Sequence, residues 1–348
     1  MTGDADDARK AVKRRRVRTS SKATIDVVAQ EAGVSTATVS RVLSGSTGVS
    51  SELVDRVQRA VRALSYQPNG AARGLASGSL RSLGVIVPDL GNAYFFDIVK
   101  AMHRAALLDG YRLVIADSDG EVDTELSTAR DLLGQVDGLV LMSPRMTTTG
   151  LKELAHQSTP VVLINRVELG VDLPMVAVDN VTAIMDLCGH LAGLGHRRIA
   201  YLAGSELAWQ NRERWAAVQT AAKLLGMNAI SVPGDGTIEG GHAAVSNALA
   251  RDRTALICFN DLSALGAVSA LRDLGMTVPG DVSVSGFDDI DIARHVNPRL
   301  TTVVSPKAEV GATAWEAMRT LLAGETVTSS PALPAHLLIR DSTGPARG

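Results

Sequence analysis

Between Thr24 and Leu43 the apolar positions recur with helical spacing, in two short runs separated by a glycine. Ile25, Val28, Ala29 and Ala32 fall at i, i+3, i+4 and i+7, one face of a helix that Thr24 is suited to cap. Gly33 supplies a turn and Ser35 caps a second predicted helix, on which Val39, Val42 and Leu43 share one side. Ala37, Ser40 and Arg41 project from the other side, with Thr36 and Thr38 on its flanks near the N-terminus. Ser50-Ser51-Glu52 opens a third predicted helix, where Leu53, Val57, Ala60, Val61 and Leu64 form one stripe. Pro68 stops that helix, and Asn69 is placed to cap a further one of about two turns. So short a helix, carrying Gly70 and Gly74, is marginal in water, so this segment is expected to order only against a partner. A plain linker is the alternative, which the large apolar Leu75 argues against.

From Leu80 the pattern changes to apolar strands alternating with helical stretches, the rhythm of a mostly parallel sheet. The strands are expected at Leu83–Val87, Arg112–Ala116, Gly138–Met142, Val161–Ile164 and Val176–Val178. The rhythm restarts at Ile199–Leu202, Ala255–Phe259 and Val282–Ser285, and a last strand falls at Ala335–Ile339. Helices are expected at Phe96–Asp109, Ala183–Leu194, Glu213–Leu225, Gly240–Ala250, Leu262–Leu274 and Val310–Ala323. The restart predicts two similar α/β lobes, joined by crossings near Val178–Val181 and Thr301–Ser305. In such doubly wound lobes a ligand binds at the C-terminal ends of the strands, here between the lobes.

Charge sharpens this division. Residues 1–75 hold 13 Lys and Arg against 7 Asp and Glu, a net of +6. The whole chain of 348 residues carries −2, so the remainder carries −8, and a basic head on an acidic body favours a polyanion at one end only. The run Lys13-Arg14-Arg15-Arg16-Val17-Arg18 reads as a disordered tail with nonspecific attraction to phosphate. No apolar run has membrane-spanning length and the N-terminus lacks the apolar core of a signal peptide, so a cytoplasmic protein is expected. Cys188 and Cys258 suggest neither zinc nor a disulfide framework, and the seven histidines show no metal-ligand spacing, so no metal or cofactor is expected. His196 is expected to shape a helix-to-strand turn. Gly234–Gly241 does not fit a phosphate loop and no Gly-x-Ser-x-Gly elbow occurs. Asp288 and Asp289 have no opposing acid in the pattern, which leaves no case for an enzyme.

The two helices around Gly33 have the layout of a helix-turn-helix, whose second helix enters the DNA major groove. An outward face of small side chains lets the backbone approach base edges, and Arg41 can then reach a guanine with both guanidinium arms. The pattern TI-x-x-VA-x-x-AGVS-x-x-TVSRVL, followed by Y-x-PN-x-AAR-x-L, resembles the lactose-repressor (LacI/GalR-type) family of bacterial transcription regulators, and the likeness covers nearly the whole chain. The resemblance implies that Thr36, Ala37 and Arg41 read bases, with Thr38 and Ser40 beside them on the DNA-binding face. It further implies that Asn69, Arg73 and Leu75 lie in a hinge helix that folds on DNA, where Leu75 wedges into the minor groove. Val27 departs from the family, which usually places an acidic residue directly before the Val-Ala pair.

The resemblance also implies an effector domain built like a periplasmic sugar-binding protein. Its cleft candidates are the polar and aromatic residues just after strands: Tyr94, Phe95, Ser143, Asn165, Arg214, Asn260 and Asp288. Asn92-Ala93-Tyr94-Phe95 stands where the family usually shows Asn-Pro-Phe-Phe, and Arg214 matches its effector-binding arginine. Arginine, asparagine and aspartate converging in a semi-dry cleft suit a polyhydroxylated ligand, because each can bond two neighbouring hydroxyls. Many relatives place an aromatic ring where this chain has Gly236, and Trp209 is the candidate to replace it.

The expected layout is a basic tail at 1–21, a headpiece at 22–67, a hinge and linker at 68–79, one lobe from 80–178 with 306–326, and another from 179–305 with 327–345. The expected function is a homodimeric repressor on near-palindromic double-stranded DNA, controlled by a small molecule, with a sugar or sugar derivative favoured. A nucleoside or purine acting as corepressor is the alternative ligand, and a cytosolic solute-binding protein the alternative class.

Overall fold

The computed structural model describes residues 23–43, 48–66, 79–327 and 331–347. Contacts divide the chain into two compact units, Met1–Leu80 and Arg81–Gly348.

The described part of the first unit is three helices: α1 (Ile25–Ala32), α2 (Thr36–Leu43) and α3 (Ser51–Ala63). Val28, Ala29, Ala32, Val39, Val57 and Ala60 form its core, the apolar stripes of the three helices turned inward. Gly33 ends α1 with φ of 62°, a left-handed backbone that glycine adopts without steric cost. Arg56 of α3 fixes the turn, its Nη2 donating to the carbonyls of Ala32 at 2.6 Å and Gly33 at 3.0 Å. Ser35 Oγ accepts from the Thr38 amide at 3.2 Å, as expected of a cap. Thr24 differs: it occupies the cap position of α1 with an extended backbone, but its side chain makes no capping bond.

The second unit carries two parallel sheets. The first has the order β2-β1-β3-β4-β5, from β1 (Ser82–Val87), β2 (Arg112–Asp117), β3 (Gly138–Met142), β4 (Val161–Ile164) and β5 (Met175–Val176). The second has the order β7-β6-β8-β9, from β6 (Arg198–Leu202), β7 (Asn228–Val232), β8 (Ala255–Cys258) and β9 (Ser283–Ser285). The α/β architecture expected from the alternation is the one observed. Strands β3, β4 and β8 are buried along their whole length, which is why they read as unbroken apolar runs.

Helices α4 (Ala93–Leu108), α5 (Val122–Leu132) and α6 (Thr148–Ala155) belong to the first lobe, and α7 (Asn180–Gly193), α8 (Trp209–Leu224), α9 (Ile238–Leu249) and α10 (Asp261–Asp273) to the second. After β10 (Thr302–Val304), α11 (Lys307–Leu322) returns to the first lobe and packs on α4. Trp315 of α11 anchors it there, donating from Nε1 to Asp109 at 2.8 Å and meeting the Tyr111 ring at 5.1 Å. β11 (His336–Leu338) then pairs antiparallel with β10.

All six helices expected in the lobes start earlier than the sequence pattern placed them, by three or four residues in α4, α7, α8 and α11. α4 begins at Ala93 because Asn92 caps it through the Tyr94 amide, and α7 begins at Asn180 because Asp179 caps the amides of Val181 and Thr182. α8 begins at Trp209 rather than Glu213, which brings Gln210 and Asn211 into a helix. His196 is buried at the turn it was expected to shape. Its Nε2 lies 3.0 Å from the Gly344 carbonyl and from Ser283 Oγ, tying the C-terminal segment to the second sheet.

Candidate functional site

In the first unit the helix-turn-helix presents one face outward. Thr36, Ala37, Ser40 and Arg41 are exposed and Thr38 is half-buried, while Val39 is fully buried on the opposite side. The face is therefore small side chains around one long cation, with the Arg41 Nε 3.5 Å from the Ala37 carbonyl along the helix. Asn69, Arg73 and Leu75 lie outside the described residues, as do the basic tail and nearly all of the expected hinge.

In the second unit a cleft of ≈ 480 Å³ opens at the C-terminal ends of both sheets. Each sheet reverses its strand order at its first strand, β2-β1-β3 and β7-β6-β8, and a doubly wound sheet offers a crevice at such a switch point. Tyr94, Phe95, Ser143, Arg214, Asn260 and Asp288 all line the cleft, so six sequence-predicted residues from five separate segments meet there. Asn165 stands behind this lining and reaches it through Tyr94, its Nδ2 donating to the tyrosine hydroxyl at 2.6 Å. Trp209 does not line the cleft; the neighbouring residue Gln210 does.

Arg214 is the centre of the second lobe's wall. Its Nε donates to Asn180 Oδ1 at 2.8 Å, its Nη1 to the Phe259 carbonyl at 2.5 Å, and its Nη2 lies 3.7 Å from Asp288. Its guanidinium carbon lies 3.4 Å from the Phe287 ring centroid and 5.0 Å from that of Phe259, aromatic faces that attract a cation. Burial pushes the Asp288 carboxyl up to about 6, although Arg214 and Lys307 both pull it down. Burial likewise raises the Tyr94 hydroxyl to about 12, so it is a neutral donor and acceptor at neutral pH. Three residues of the cleft lining are non-glycine at positive φ, Asp119 at 53°, Ser143 at 46° and Asp288 at 110°, and so is Asn165 behind it at 55°. Side chains rarely adopt this backbone, and the surrounding structure must hold it in place.

Phe259, Gln210 and Arg145 complete the site, and sequence reasoning missed all three. Phe259 brings an aromatic ring to the cleft beside Gly236. A Cβ at Gly236 would come within 2.9 Å of the Phe259 ring, and φ there is 87°. Gln210 donates from Nε2 to Ser143 Oγ at 2.6 Å, joining the two lobes across the cleft. Arg145 sits beside Glu125, whose carboxylate accepts from the Arg145 and Met146 amides at 2.8 and 2.6 Å. Burial lowers the Arg145 guanidinium to about 10 and raises the Glu125 carboxyl. Among the described residues, Asn165 Oδ1, Gln210 Oε1 and Arg145 Nη1 are buried polar atoms without a hydrogen-bond partner. Such atoms are costly to leave unmade and mark where a ligand's polar groups can bond. The described residues hold no group of three or more His, Cys, Asp and Glu placed for a metal, and no helix long and apolar enough to cross a membrane.

Two families match this chain: "Bacterial regulatory proteins, lacI family" over residues 24–69, and "Periplasmic binding protein-like domain" over residues 188–343. Catabolite control protein A of Priestia megaterium is 34% identical, covering 92% of this chain and 99% of that protein. The HTH-type transcriptional repressor CytR of Escherichia coli (strain K12) is 34% identical, covering 92% of this chain and 96% of its own. The crystal structure of the lac repressor dimer bound to operator and the anti-inducer ONPF aligns with a TM-score of 0.83 at 27% identity, covering 93% of this chain and 100% of that one. The complex of the transcriptional regulator CelR with cellobiose aligns at 0.70 and 30% identity, covering 92% and 99%.

Proposed function

The chain belongs to the lacI family of bacterial regulatory proteins, and we propose that it represses transcription by binding a near-palindromic operator as a homodimer, with a sugar or sugar derivative in the inter-lobe cleft controlling that binding. Family members are transcriptional regulators and not enzymes. The observation that carries the ligand half is the convergence of Arg214, Asn260 and Asp288 with the unpartnered Gln210 Oε1 on one cleft, with Asn165 bonded to Tyr94 behind it. Hydroxyl groups both donate and accept, so a polyol can meet these atoms in turn. The CelR structure holds cellobiose, which supports a saccharide in a cleft of this fold.

The DNA half rests on α2, with Thr36, Ala37, Thr38, Ser40 and Arg41 as the reading face and Asn69, Arg73 and Leu75 completing the proposed contact set. The dimer is supported by the lac repressor dimer and by β2, which sits at the open edge of the first sheet and exposes Val114 and Ile115. A second copy would cover these apolar side chains. Ligand release of the operator is the favoured sign, the commoner one for a sugar, and either sign requires that the ligand bind one closure state better than the other.

The test is an operator selected from random duplexes by the full-length protein, followed by a binding titration. Arg41→Ala is expected to weaken the specific complex by about 1–3 kcal/mol and to relax the preference for one base pair. Unchanged affinity and preference in that variant would refute α2 as the reading helix.

A further inference from the structure

We infer that the cleft selects against anions: it takes an uncharged polyhydroxylated molecule and rejects that molecule's phosphate ester. This rests on the effector-cleft reading above and adds to it the charge of the ligand. Asp89, Asp119, Glu121, Asp123, Asp235 and Asp288 line the cleft, against Arg145 and Arg214. Several of these carboxylates stand on the exposed rim, where solvent screens them, so the decisive features lie deeper.

Helix N-termini are the usual seats for phosphate, because their first amides point outward unpaired. Of the helices that begin at this cleft, α8 has no side-chain cap, α5 has none but starts with the carboxylates Glu121 and Asp123, and three are closed by their own side chains. Asn92 accepts from the Tyr94 amide at 3.0 Å, Thr237 from the Gly240 amide at 2.9 Å, and Asn260 from the Ser263 amide at 2.9 Å. Arg214 has committed its Nε and Nη1 to Asn180 and Phe259, and its Nη2 faces Asp288, so it presents no free fork to a phosphate. Arg145 offers one unpartnered nitrogen, with the Glu125 carboxylate close by.

The unpartnered side-chain oxygen of the lining favours a donor. Gln210, in the lining, is 6% exposed and leaves a buried oxygen that needs a donor. A hydroxyl supplies one, and a phosphate dianion does not.

The experiment measures binding to the full-length protein by calorimetry and thermal shift, with neutral mono- and disaccharides and nucleosides, each paired with its phosphate monoester, and inorganic phosphate as the anion alone. At least one neutral member is expected to bind, its ester at least tenfold more weakly, and phosphate not at all. An ester that binds as tightly as its parent, or phosphate that stabilises the protein, overturns the inference. A panel in which nothing binds counts instead against the effector-cleft reading beneath it.

Discussion

Asp288 shows most directly how the proposed ligand site is held at the expense of stability. It is 4% exposed, its φ is 110°, and burial lifts its carboxyl to about 6. The unfolded carboxyl titrates near the ordinary value, so between about pH 4 and pH 6 the folded chain holds the extra proton. Stability from this group is therefore present at low pH and lost as pH rises through 6, where a charge must be buried. Asparagine keeps an oxygen towards Arg214, tolerates positive φ and carries no charge. Asp288→Asn is expected to be more stable than the parent by about 1–3 kcal/mol at pH 7.5, an advantage that shrinks towards pH 4. Thermal melts at the two pH values check the sign, and a lower midpoint at pH 7.5 would sink the account. The same variant should bind the effector at least tenfold more weakly, having lost the charge that strengthens a hydrogen bond to a hydroxyl.

At the scale of elements, α9 and α10 touch backbone to backbone. A Cβ at Gly266 would lie 1.9 Å from the Ile238 carbonyl oxygen, and one at Gly241 would lie 2.1 Å from that of Ser263. Gly266→Ala is expected to cost at least about 1–3 kcal/mol by overpacking and to lower the melting midpoint by several degrees. Gly189 in α7 is exposed with nothing within 4 Å of its would-be Cβ, so Gly189→Ala is expected to stabilise by up to about 1 kcal/mol through helix propensity. Equal effects of the two in one melting series would refute the packing explanation. Elements whose pattern matches their burial were legible in the sequence: β1, β3, β4, β6 and β8 all read as apolar runs. β7 was not, because it is an edge strand with only Val232 buried, and neither was α5, which buries only Glu125 and Ala129. Within the site, residues next to strand ends were found. Gln210 was missed because adjacent residues on a helix point about 100° apart, so locating Trp209 near the cleft did not locate its neighbour. Arg145 needed a buried Glu125 from another segment, which no local pattern reveals.

For the molecule as a whole, two side-chain links join the lobes beside the cleft. Lys307, the first residue of α11, donates to the carbonyls of Asp288 and Asp289 at 3.0 and 2.6 Å, so the turn that brings Asp288 to the cleft is tied to a helix of the first lobe. The Gln210–Ser143 bond at 2.6 Å bridges the cleft directly, and it can exist only while the lobes are together. Removing one hydrogen bond of this kind costs about 1 kcal/mol, which moves a two-state closure about fivefold towards the open form. Ser143→Ala is therefore expected to weaken effector binding about fivefold and to enlarge the ligand-free radius of gyration in solution scattering. Linkage carries the effect to the operator: the effector concentration at half-response should rise by the same factor, while operator affinity at saturating effector stays where it was. If effector affinity and half-response both stayed put, the bond would be present in every lobe arrangement. Closure could not then be how the cleft speaks to DNA.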